Sequence, residues 1–272
     1  MAVHKRLLHV GCGYRPSVLP KAFSDEPWHE VRLDIDSECD PDIVASISDM
    51  SCIESCSFDA VYSSYNLNHV YLHEALSALR EFSRVLVPTG VAVIRVPDMQ
   101  MIAELIIAGK IAEPIAMTAS GPVTPLDVIY GLSRALAAGC QFLAHKVGFT
   151  DRLLGDMIVQ NGFEQAAVHR DPGFLALWAV AHKTKPEKEI ASEELTPYCP
   201  GHVTEVRNNT TEIERIREEC DRIKEDNRTL LRLLELHAGN NARLMTEQAE
   251  MLAHTKAVLS ELAGRQINDA RQ

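Results

Sequence analysis

The sequence predicts an α/β fold, a mainly parallel sheet covered by helices, followed by a long helix that pairs with copies of itself. Three observations carry that expectation. The apolar run Leu7-Leu8-His9-Val10 ends in Gly11-Cys12-Gly13-Tyr14, as a buried parallel strand does when it breaks into a tight loop whose backbone can lie against a ligand. Roughly twenty residues on, Val31-Arg32-Leu33-Asp34-Ile35-Asp36 gives a second strand ending in an acid, placed to accept hydrogen bonds from ribose hydroxyls. Beyond residue 206, core-type positions step by alternating threes and fours as far as Leu262. Gly-x-Gly alone also suits a plain tight turn; the acid at the right distance favours a nucleotide-type ligand.

Composition bounds the class. A chain of 272 residues, 46% hydrophobic and 24% charged, can bury one full core with a remainder left over. A formal charge of −11 argues against holding nucleic acid on a general basic surface. The start carries no signal-peptide core, and no apolar run reaches the ~18 residues of a membrane span. No direct membrane insertion and a cytoplasmic location are therefore expected. The 7 cysteines are scattered, and Cys52-x-x-x-Cys56 lacks a second pair at zinc spacing, so reduced thiols and no metal are expected.

Taken in order, residues 14–27 carry Pro16, Pro20 and Pro27 and leave room for only a short helix. Residues 40–45 supply a third short strand and residues 47–50 the turn after it. Ser57-Phe58-Asp59-Ala60-Val61-Tyr62-Ser63-Ser64 is a fourth strand. Its carboxyl end faces the ligand in an open parallel sheet, which makes Ser64 a binding candidate. Residues 73–85 read as an amphipathic helix with Leu76, Leu79 and Phe82 on its core face. Pro88-Thr89-Gly90 turns into a fifth strand over 91–96, stopped by Pro97-Asp98. Asp98 falls on the same rim as Ser64, either as a substrate contact or general base, or as the acceptor of an Asx turn. Residues 99–161 form a mostly helical insertion that should cover the site. Thr150 is a natural N-cap for a helix over 151–161. The last two strands, 164–169 and 174–182, pair as an antiparallel hairpin at the sheet edge.

The segments LLHVGCG, VRLDID, SFDAVYSSYNLNHV, REFSRVLVPTGVAVIRVPD and HKVGFT…NGF together resemble the class I S-adenosylmethionine-dependent methyltransferases. They are most similar to the methyltransferase type 11-like branch associated with bacterial glycan and polysaccharide biosynthesis, over residues 3–183 or so. The resemblance implies a Rossmann-like, seven-stranded methyltransferase sheet with S-adenosyl-L-methionine as cofactor, held by Gly11, Cys12, Gly13 and Asp34. The chain departs from the family pattern at Arg15-Pro16, where a third glycine is usual. After the third strand the family sets an acid against the adenine amino group. Spacing puts Ser46 there and Asp49 three residues later, so Asp49 is the adenine candidate, or else a cap for the next turn. Where the branch reads Ser-His-x-Leu-Glu-His, this chain has Ser64-Tyr65-Asn66-Leu67-Asn68-His69. His69 matches and is a candidate base, whereas the neutral Asn68 cannot take an acid–base role from a glutamate. His145, in His145-Lys146-Val147-Gly148-Phe149-Thr150, is the second base candidate. Each histidine also has a plain structural reading, a backbone-bonded imidazole at a helix start for His69 and a loop brace for His145.

The sequence organisation is thus a catalytic domain over 1–183, a charged proline-bearing linker over 184–205, a coiled coil over 206–264 and a tail over 265–272. Asn227 and Asn241 at core positions fix register and favour parallel pairing, so a homo-oligomer is expected. The expected activity is O-methylation of a small-molecule, sugar or glycan acceptor, with His69, His145 or Asp98 as base, alongside glycan-biosynthesis enzymes as partners. The alternative is a catalytically silent scaffold of the same fold. A nicotinamide-dependent oxidoreductase is disfavoured, because the loop lacks a Gly-x-Gly-x-x-Gly ending.

Overall fold

The computed structural model describes residues 5–25, 27–118, 121–184 and 198, the backbone of 203–208, and single helical positions at 222, 225, 228, 248 and 251. The chain divides into two units, 1–212 and 213–272. The expected coiled coil, beyond the strand residues up to 208 and those single positions, lies outside the described residues, as does the tail.

Five strands come first: β1 (Arg6–Val10), β2 (His29–Asp34), β3 (Ile43–Val44), β4 (Phe58–Ser64) and β5 (Leu86–Pro97). A small hairpin, β6 (Ala116–Thr118) and β7 (Gly121–Val123), stands apart from the main sheet, and β8 (Gln165–Asp171), β9 (Ala176–His182) and β10 (Val203–Asn208) complete it. The helices are α1 (Lys21–Ser24), α2 (Leu72–Val85), α3 (Met99–Ile107), α4 (Pro125–Tyr130), α5 (Ser133–Ala137) and α6 (Asp151–Gln160).

The main sheet runs β10-β8-β9-β5-β4-β1-β2-β3. Strands β3, β2, β1, β4 and β5 pair in parallel, β9 is antiparallel to both β5 and β8, and β10 is antiparallel to β8. The seven-stranded sheet with its antiparallel hairpin is therefore present, but β10 covers the hairpin's outer edge, in residues that composition had assigned to the linker and the start of the coil. A bare strand edge offers unpaired backbone groups, and pairing removes them.

Side chains alternate across the sheet as period 2 requires. Leu8, Val10, Val61, Ala92 and Ile94 share one core with Ala75, Ala78, Leu79, Phe82 of α2 and Leu154, Ile158 of α6. Leu7, Ala60, Tyr62, Val91 and Val93 face a smaller cluster closed by Phe23 of the four-residue α1 and by Trp178, with Trp28 and Tyr198 packed against it. The prolines of residues 14–27 explain the imbalance, since they prevent a full covering helix on that face.

Two elements differ from expectation. Pro88-Thr89-Gly90 does not separate a helix from a strand. It lies inside β5 as an irregularity, where pairing jumps from Phe58↔Leu86 to Ala60↔Val91. The insertion is also less helical than its sequence suggests, with β6 and β7 between α3 and α4. Among the described residues no helix is long and apolar enough to cross a membrane.

Candidate functional site

The site lies along the carboxyl rim of β1, β2, β4 and β5, and begins at the glycine loop. Gly11 and Gly13 take φ of +60° and +58°. A Cβ on Gly11 would run into the Asn66 side chain, whereas one on Gly13 meets nothing within 4 Å. The Gly13 N–H donates to Asp34 Oδ2 at 2.8 Å, and Asp36 N–H to Asp34 Oδ1 at 3.0 Å. Each carboxylate oxygen thus keeps a lone pair for another donor. Arg32, fully buried, braces the same loop from below by donating to the carbonyls of Gly13, Cys39 and Asp40.

Three cavities meet this rim. The first, about 390 Å³, is walled by Gly11, Gly13, Asp34, Ser46, Asn66 and His69, among others. The second, about 630 Å³, shares Gly11 with it and is walled by Cys12, Ser64, Lys21 and Arg95. The third, about 430 Å³, lies beneath the insertion and shares Tyr65, His69 and Leu143 with the first. All three volumes fall in the range of small-molecule sites.

The junction is built by local chain geometry. Tyr65 carries φ of +49°, an uncommon backbone angle for a bulky residue, and its N–H donates to the Arg95 carbonyl at 2.8 Å. Leu67, fully buried, anchors the short 3₁₀ turn Leu67–His69, which closes through His69 N–H to Asn66 O at 3.0 Å. Lys146 N–H then donates to Asn68 O at 2.8 Å, tying the two histidine segments together. The His69 and His145 rings meet edge to face with centroids 4.8 Å apart.

His145 has one nitrogen committed, and His69 has a partner at each. His145 Nδ1–H donates to Val128 O at 2.6 Å and His69 Nδ1–H to Ala144 O at 3.3 Å, while Asn68 Nδ2 lies 3.4 Å from His69 Nε2. These partners assign the Nδ1–H tautomer to each ring, leaving Nε2 as the basic atom. Burial, with His145 adding to it, pushes the His69 imidazole down to about 4. Burial also lowers His145, against the opposing bond to Val128. Both rings are therefore neutral at pH 7 and able to accept a proton.

The remaining sequence candidates fall in different places. Cys12 and Ser64 line the second cavity. Burial, partly offset by Arg32, raises the Cys12 thiol to about 11, which keeps it a thiol. Asp49 lies on the turn after the third strand, in the geometry of the capping alternative. It is exposed, its Oδ1 accepts from Ser51 N–H at 3.1 Å, and hydrogen bonding to the Ser51 side chain, then to its backbone, lowers its pKa; of this segment's polar side chains it is Ser46 that walls the cavity, together with Ala45 and Ile47. Asp98 takes the capping geometry that was the alternative to a base. It is fully buried and caps α3, accepting from Gln100 N–H and Met101 N–H at 2.9 and 3.3 Å. Arg170 Nε stands 3.1 Å from its other oxygen, close enough for an ion pair although not aligned as a hydrogen bond, and Asp98 lines none of the three cavities.

Three residues escaped sequence reasoning: Arg32, Asn66 and Arg95. Arg95 lies over the rings of Tyr65, Phe174 and Trp178 at 4.6, 4.9 and 4.8 Å. Asn66 Nδ2 is buried at the first cavity without a hydrogen-bond partner. A charged residue inside an apolar strand run, as in Val31-Arg32-Leu33 and Ile94-Arg95-Val96, was the available signal, because buried charge is rare without a purpose. Among the described residues no group of three or more His, Cys, Asp or Glu is arranged to hold a metal ion.

Residues 8–94 match the family model described as a methyltransferase domain. No curated protein matches the chain significantly. Among solved structures, the chain is similar to a Burkholderia thailandensis 1,6-didemethyltoxoflavin-N1-methyltransferase with bound 1,6-didemethyltoxoflavin and S-adenosylhomocysteine (14% identity, 67% of this chain and 72% of that chain, TM-score 0.43). A Methanosarcina mazei S-adenosylmethionine-dependent methyltransferase gives 16% identity over 68% of this chain and 95% of that chain, with a TM-score of 0.45. A Pyrococcus horikoshii protein gives 16% identity over 68% and 84%, with a TM-score of 0.45.

Proposed function

We propose that this chain is an S-adenosylmethionine-dependent methyltransferase that moves a methyl group onto an acceptor held beneath its insertion. The observation that carries the reading is the shared wall. His69 and Tyr65 belong both to the cavity at Asp34 and the glycine loop and to the cavity under the insertion. A donor in the first cavity and an acceptor in the third, beneath the insertion, therefore meet at a neutral imidazole.

The residues present fit the donor. Asp34 retains a lone pair on each oxygen for two ribose hydroxyls, Asn66 offers a buried unpartnered donor, and Gly11, having no Cβ, lets Asn66 lie against the loop at the cavity wall. Ser46, Ala45 and Ile47 wall the end where the adenine goes. Gly11 borders the second cavity as well, so the amino-acid end of the donor extends toward Cys12, Ser64 and Arg95. The bound donor supplies an electrophilic methyl on a sulfonium, and the protein aligns the acceptor, excludes water and removes a proton. His69 Nε2 or His145 Nε2 takes that proton, with Ala144 and Val128 holding the rings in place.

The finer expectation from the motifs is O-methylation of a sugar or glycan intermediate beside other glycan-biosynthesis enzymes, with chains joined through the heptad positions beyond residue 208. The test is transfer of labelled methyl from S-adenosylmethionine to a panel of hydroxyl-bearing small molecules and glycans. Label in an acceptor that His69→Ala reduces supports the reading, and no transfer to any acceptor by a protein that binds the donor favours the silent scaffold.

A further inference from the structure

The cavity beneath the insertion is described chemically by what it lacks. Its walls are mostly aliphatic and aromatic, with Ile115, Val123, Leu132 and Leu143 from the insertion and Phe174 and Leu175 from the rim. Its polar side chains are largely spent on the protein itself. Asp127 Oδ2 accepts from Thr124 N–H and Oγ1–H at 3.0 and 2.8 Å, and its Oδ1 from Ser133 N–H and Oγ–H at 3.0 and 2.7 Å. Thr118 Oγ1–H donates to Gly121 O at 2.9 Å. Each histidine has given its Nδ1–H to a carbonyl. Among the described side chains, what remains for a ligand is the His145 Nε2 atom and the Tyr65 hydroxyl, while His69 Nε2 already accepts from Asn68 Nδ2 at 3.4 Å.

A sugar brings several hydroxyls, and in this cavity most would be stripped of water with no partner to replace it. A molecule with an apolar body and a single hydroxyl at one end matches both the lining and the position of the free groups. Resting on the methyltransferase reading above, we propose that the acceptor is a phenol, an apolar aromatic ring whose one hydroxyl sits at the His69/His145 end of the cavity. The strength of the available bases agrees. Burial holds the His145 imidazole below its ordinary value, which makes it a weak base, and proton transfer works best when donor and acceptor are matched. A phenol titrates near ~10, whereas an aliphatic hydroxyl lies near the ~15.7 of water.

The step balances without a further reagent. The phenol proton passes to an imidazole Nε2, and the phenol oxygen attacks the methyl carbon. The O–CH3 bond forms as the S–CH3 bond breaks, and the sulfur keeps the electron pair, leaving the aryl methyl ether and S-adenosylhomocysteine.

The experiment uses the full chain with labelled S-adenosylmethionine and offers 4-propylphenol and methyl α-glucopyranoside at equal concentration. Label enters the phenol faster than the glycoside by roughly 100-fold or more. Leu132→Glu, which puts a charge into the apolar wall, raises the phenol KM by about 10-fold or more while calorimetric affinity for S-adenosylhomocysteine stays unchanged. Transfer to the glycoside as fast as to the phenol, transfer to neither, or a phenol KM indifferent to Leu132→Glu overturns the proposal. Absence of S-adenosylhomocysteine binding fails the methyltransferase reading itself, which separates the two failures.

Discussion

Replacing Asp34 by Ala tests how the carboxylate is shared between loop and ligand. Its two oxygens already accept from Gly13 N–H at 2.8 Å and Asp36 N–H at 3.0 Å, so two acceptor positions are left for ribose hydroxyls. Hydrogen bonds to a charged group contribute about 1.5–3 kcal/mol, and losing that much weakens donor binding roughly 10- to 150-fold. The two backbone donors also lose their partner, which costs about 1–3 kcal/mol of stability. Asp34→Asn separates the effects, because it keeps the volume and one oxygen but turns an amide N–H₂ toward one of those donors. It should fall between Ala and the native residue in affinity. Calorimetric titration with S-adenosylhomocysteine reads the first effect and thermal unfolding without ligand reads the second. A folded Asp34→Ala protein with native affinity would refute the assignment.

His69→Ala and His145→Ala should each leave S-adenosylhomocysteine affinity nearly unchanged, and the one that removes the base should lower kcat by roughly two to four orders of magnitude; both variants retaining turnover would leave alignment alone as the catalytic device. Because folding lowers the His69 pKa to about 4, its neutral form is favoured in the folded state. Stability from this residue is full above the unfolded value of 6.5 and lost as pH falls through about 4, so unfolding midpoints should drop over that interval and His69→Gln should flatten the fall. If His69 is the base, the rate should hold level from neutrality until pH nears about 4 and decline only there. Gly11→Ala should cost more than Gly13→Ala: both need a positive φ, costing about 1–3 kcal/mol, but only the first meets Asn66, and a larger loss at Gly13 in thermal unfolding would contradict that. A chain ending at Glu212 keeps β10 on β8 and should be a folded monomer by light scattering, whereas the full chain should be an oligomer; a monomeric full chain would remove the coiled-coil expectation.

The strands were legible because burial on both faces writes them as apolar runs, and the glycine loop and Asp34 because their spacing is fixed by one strand-helix-strand unit. Ala45, Ser46 and Ile47 all wall the cavity, whereas Asp49 lies on the turn beyond them with its side chain exposed, a difference in direction that counting residues through a short turn does not give. Asp98 sits on the predicted rim, yet its direction is set by α3 starting at the next residue, which turns the carboxylate onto the helix N–H groups. The meeting of His69 with His145 was invisible in sequence. It depends on Lys146 N–H reaching Asn68 O across 78 residues of chain, a contact with no local signature. β10 was hidden for a related reason, since a short edge strand in a polar stretch is specified by the partner it covers rather than by its own pattern.

The central claim is that the cavity at Asp34 and the glycine loop takes S-adenosylmethionine. Calorimetric titration of the full chain with S-adenosylmethionine, repeated with NAD, tests it most directly. Saturable binding of S-adenosylmethionine that Asp34→Ala weakens, with no heat from NAD, is the predicted result. Binding of NAD, or no binding of S-adenosylmethionine by a folded chain, would contradict it.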